Sequence, residues 1–135
     1  MSVNTFDPNA LKNLSRPIDA ELLSEIVEIA VAANADIEQM NLSQVQIDRI
    51  ATVAQHDGWQ EAAGDLDDRV IAAVIRLFTL GEMRYSSWKA DSKSPVVALA
   101  RILKKRQTLP VDLVIWIKAN TNNQFLPHGD LMDLL

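Results

Sequence analysis

The chain has no cysteine, which excludes disulfides, zinc–thiolate centres and cysteine nucleophiles together. Glycine is scarce, at positions 58, 64, 81 and 129 only, too few for the many tight turns of an all-β fold. Two histidines are present, His56 and His128. Neither belongs to a His-Glu-x-x-His motif or to a Glu-x-x-His pair, so no metal is expected. Glycine-rich phosphate loops, G-x-S-x-G elbows and dinucleotide fingerprints are also missing, and no cofactor is implied. No stretch reaches the roughly 18–20 consecutive apolar residues that cross a bilayer, so a membrane partner is not expected. Met1 to Pro8 has neither a basic start nor an apolar run, unlike a secretory signal, and the expected location is the cytoplasm.

What the chain does have is ordinary apolar content and an uneven charge. Its 135 residues suit one domain, and 48% of them are hydrophobic, enough to fill one core. The formal net charge is −5. Residues 1–83 hold 14 carboxylates against five bases, a balance of −9. Residues 84–106 hold seven bases against Asp91 alone, a balance of +6. Such polarity steers partners without identifying them.

Helical spacing dominates the pattern. Residues 1–16 read as an irregular N-terminal segment and 17–135 as a single helical domain. After Arg16-Pro17, the positions Ile18, Leu22, Ile26, Ile29 and Ala33 form one apolar stripe. Ser43 reads as the N-cap of a second helix carrying Ile47, Ile50, Ala51 and Ala54, with Gly58 suited to a left-handed end. A third helix starts near Asp65, taken as its N-cap, and is apolar nearly all round from Val70 to Ile75. It is the expected centre of the core, through Val70, Val74, Leu77 and Phe78. Ser94-Pro95 is an N-cap followed by proline at the first helical position. It opens a fourth helix with Val96, Leu99, Ala100 and Leu103 inward and an end near Arg106. Val111–Ala119 is rich in β-branched residues and suits a strand as well as a helix. Pro110 and the lack of a strand partner favour helix. The sum is an all-α, bundle-like compact domain of about five helices.

Candidate chemistry is thin. His56-Asp57 resembles the doublet of the metal-dependent HD phosphohydrolases, but no histidine lies upstream to supply that family's first ligand. Asp65-Leu66-Asp67-Asp68 has the letters of the Asp-x-Asp-Asp motif of some terpene cyclases, in a chain far too short for their helical domains. Capping and dipole compensation explain these acids. The most specific feature is the basic segment. Arg84, Tyr85, Trp88 and Lys89 interleave rings with cations, and Lys93, Arg101, Lys104, Lys105 and Arg106 follow. Cations for phosphates and rings for stacking are what polyanion binding uses. The same residues also suit a helix C-terminus and pairing with the acidic helices. A helix-turn-helix reading fails, because Val111 to Ile117 would present apolar side chains to base edges. Finally, Leu131, Met132, Leu134 and Leu135 make the chain end apolar, which implies docking on this domain, a second copy or a partner.

The expected function is a non-catalytic interaction or regulatory module, a homodimer or binder of a protein partner, with a charge-polarised surface. The alternative is a nucleic-acid-associated protein using segment 84–106. An enzyme with a carboxylate-based site stays open as a third option.

Overall fold

The computed structural model describes residues 17–33 and 40–122. These residues form an all-α domain without a strand, as the helical spacing predicts. Six α-helices and two short 3-10 turns occur among them. We label the helices α1 (Ala20–Ala32), α2 (Gln44–Ala51), α3 (Trp59–Ala62), α4 (Asp68–Arg84), α5 (Pro95–Lys105) and α6 (Val111–Asn120). The 3-10 turns are Ser86–Trp88 and Asp91–Lys93. The expectations for residues 1–16 and for the apolar chain end fall outside the described residues.

Each helix start has a local cause. The Asp19 carboxylate accepts the Leu22 amide at 3.0 Å and starts α1. Ser43 caps α2 and forms a reciprocal capping box with Gln46. Ser94 caps α5, with Pro95 in its first turn, as expected. Two expectations need correction. The N-cap of α4 is Asp67 rather than Asp65, its carboxylate accepting the Arg69 amide at 2.8 Å. Gly58 does not end α2 in a left-handed turn; it sits at φ −89° as the cap of α3, the short helix that raises the count above five. Val111–Asn120 is helical, because its ladder closes within the segment and Pro110 sets its start.

The long helix α4 is central. It packs against α1, α5, α6 and the first 3-10 turn. Val74, Leu77 and Phe78 have no exposed surface, while Val70 lies at the edge and is half-buried. A row of rings joins α3, α4 and the 3-10 turn that follows α4. Trp59 meets Phe78 edge-on at 5.2 Å, Phe78 meets Trp88 at 5.3 Å, and Trp88 meets Tyr85 at 5.0 Å. Both indoles satisfy their N–H within the core: Trp59 donates to the Val53 carbonyl at 2.8 Å and Trp88 to the Ile47 carbonyl at 3.0 Å. On the other side, the Arg76 guanidinium lies 5.8 Å from the Trp116 ring centre, tying α4 to α6.

Candidate interaction surfaces

The basic segment does not act as one unit. Trp88 has no exposed surface, so it offers no face on which a base could stack. That expectation is corrected, because a ring large enough to stack is also large enough to fill the core beneath Gly81. Tyr85 is half-buried against it. Arg84 donates to the Met40 carbonyl at 3.2 Å, bridging the end of α4 to the chain that enters α2. Lys89 is exposed, and its carbonyl accepts from the Gln55 amide at 2.9 Å. Lys104 and Lys105 lie in the last turn of α5, half-buried and exposed respectively.

Arg106 works inside the molecule. Gln107, just beyond α5, adopts a left-handed φ of 62°, and the Thr108 amide reaches back to the Leu103 carbonyl at 2.8 Å. Next to this turn, the guanidinium donates to the carbonyls of Gly64 at 2.7 Å and Leu66 at 2.8 Å, and to the Asp68 carboxylate at 2.8 Å. One planar fork thus holds the end of α5 to the start of α4, a geometry that lysine cannot reproduce. The side chain is 29% exposed, so solvent screens the ion pair and the two carbonyl bonds carry most of the effect. Arg106→Gln is expected to lower stability by about 2 kcal/mol, and Lys104→Gln or Lys105→Gln by less than about 0.5 kcal/mol. Urea unfolding of the three single variants checks this; equal losses would show that the clamp contributes nothing special.

Lys93 and Arg101 share a groove of about 650 Å³ between α5 and the α2–α3 connection. Ser94, Val97, Ala98 and Arg101 form its α5 wall, spaced as one helix face, opposite Thr52, Gln55, His56, Asp57 and Gln60. The His56 Nδ1 accepts the Gly58 amide at 2.8 Å, which assigns the ring proton of the neutral form to Nε2. Beneath this wall the Ser94 hydroxyl donates to the buried Glu82 carboxylate of α4, a pairing that nothing in the spacing announces. Among the described residues, no three histidine or carboxylate side chains gather as a metal ion would require, and no helix is long and apolar enough to cross a membrane.

A second groove, of about 570 Å³, runs along α1. Leu23, Val27 and Val31 form one row of it, Ser24, Glu28 and Ala32 the next, and Leu66 closes the far side. Sequence reasoning centred on the Leu22–Ile26 stripe and missed this row. The signal was there: positions 23, 27 and 31 repeat at four, so α1 is apolar over far more than the one stripe it needs for the core. Val31 is 50% exposed. On α6, Val111 and Ile115 are each 60% exposed, one turn apart.

No protein-family model, no curated protein and no solved structure matches the chain.

Proposed function

We propose that this chain is a non-catalytic helical interaction module that recognises a protein partner through the groove along α1. The observation that carries the reading is the groove's lining: it is apolar at Leu23, Val27, Val31, Ala32 and Leu66, five of the seven described residues that form it. Grooves between rows of helix side chains spaced by four are the shape into which another helix packs. The half-exposed Val31 gives a handle on the site that leaves the core alone.

Affinity capture from the native cell extract, with mass spectrometry, tests the reading. The parent chain is expected to retain a protein that the Val31→Glu chain, folded by circular dichroism, does not. Identical proteins on both columns would refute the groove as the recognition surface.

A second reading has one observation in its favour: Lys93 and Arg101 converge on the same polar groove, as cations contacting a phosphate-bearing partner would. If that reading holds, the purified protein carries absorbance at 260 nm that high salt removes, because counterion release makes such binding steeply salt-dependent.

A further inference from the structure

Resting on the reading of the α1 groove as a docking site, we infer that its occupant is a basic amphipathic helix of a protein partner. The shape and the charge point the same way.

The groove is built to helical dimensions. Leu23, Val27 and Val31 span nine residues of α1, eight steps of 1.5 Å or about 12 Å, and Leu66 faces them from the entry to α4. An amphipathic helix of about three turns covers that length with apolar side chains at i, i+3, i+4 and i+7, the pattern of helix-in-groove recognition. A strand finds no matching edge here, since the backbone N–H and C=O groups of α1 are committed to its own ladder.

The surroundings of the groove are acidic. Segments 17–33 and 58–69, which supply them, contain eight carboxylates and one base, Arg69. Two of the eight pair with arginine, Glu25 with Arg49 at 2.5 Å and Asp68 with Arg106 at 2.8 Å, and Asp19 and Asp67 keep their charge while capping α1 and α4. Glu25 also lies on the side of α1 turned to α2, away from the groove. Glu28 lines the groove itself, Glu21 lies two turns before it on the same side of α1, and Asp65 and Asp67 flank Leu66; all four are exposed. An apolar strip bordered on both sides by carboxylates complements leucines bordered on both sides by lysine or arginine. The same border repels an acidic helix, so the charges select the partner while the apolar strip holds it.

The test uses the full chain and three fluorescein-labelled helical peptides of about 18 residues. They share one leucine stripe, with the flanking positions all Lys, all Gln or all Glu. Anisotropy is read at low and high salt. The Lys peptide is expected to bind, to weaken with salt, and to lose about fivefold in affinity against Glu28→Lys. Binding is expected to vanish against Val31→Glu, and the Glu peptide is expected not to bind. Equal, salt-independent binding of the Gln and Lys peptides would overturn the basic partner and leave the docking groove standing. Lys-peptide binding that ignores Val31→Glu would overturn both, placing the peptide on acidic surface elsewhere. No Lys-peptide binding at low salt overturns the inference; if Val31→Glu then also splits a dimer in sedimentation, the occupant is a second copy.

Discussion

Trp88→Ala is expected to lower the free energy of unfolding by about 3–5 kcal/mol, the cost of emptying a large buried aromatic site. The indole has no exposed surface and touches rings on two sides, Phe78 at 5.3 Å and Tyr85 at 5.0 Å. Its removal also forfeits the hydrogen bond that the indole N–H donates to the Ile47 carbonyl at 3.0 Å, about 1 kcal/mol more. Against a total stability of about 5–15 kcal/mol, that is enough to leave part of the population unfolded at ordinary temperature. Urea unfolding followed by far-ultraviolet circular dichroism measures it. A loss below about 1 kcal/mol would mean that the ring sits at the surface, available for stacking after all.

Gly81→Ala should destabilise by about 3 kcal/mol, at the top of the range for overpacking. Helix propensity alone predicts the opposite sign, because alanine in a helix interior is better than glycine by about 1 kcal/mol. Packing wins here. A Cβ on residue 81 would lie 2.1 Å from the Trp88 Cζ3 and 2.2 Å from its Cε3, inside any tolerable contact. The six-membered ring would have to leave its place between α4 and the 3-10 turn. The two positions must therefore couple. Combined with Trp88→Leu, Gly81→Ala is expected to cost far less than it does alone, giving a coupling energy of about 1–3 kcal/mol. Strict additivity in that double-mutant cycle would show that ring and backbone do not meet.

Both expectations turn on Trp88, the residue whose role the linear pattern misrepresents. Read beside Arg84, Tyr85 and Lys89, it is an aromatic among cations. In the fold, the chain reverses after Arg84 and the 3-10 turn carries the ring back onto α4, at the one glycine of that helix. Arg106 shows the same gap between sequence neighbours and spatial neighbours. Beside Lys104 and Lys105 it looks like one more solvated cation, yet its partners are Gly64, Leu66 and Asp68, some 40 positions earlier.

Helix periodicity and caps are properties of a few adjacent residues, and so the amino-acid sequence alone sufficed for the all-α class, for Ser43 and Ser94-Pro95 as helix starts, and for Val74, Leu77 and Phe78 as core. Local spacing says that one face must be buried, since an exposed apolar stripe is unfavourable whatever covers it. It cannot say what covers it. The division of the basic segment into a buried ring, a clamp and a groove-lining pair, and the second apolar row of α1 left outside the core, depend on which helices pack against α4 and on which side. Those contacts join residues tens of positions apart, and only the folded chain brings them together.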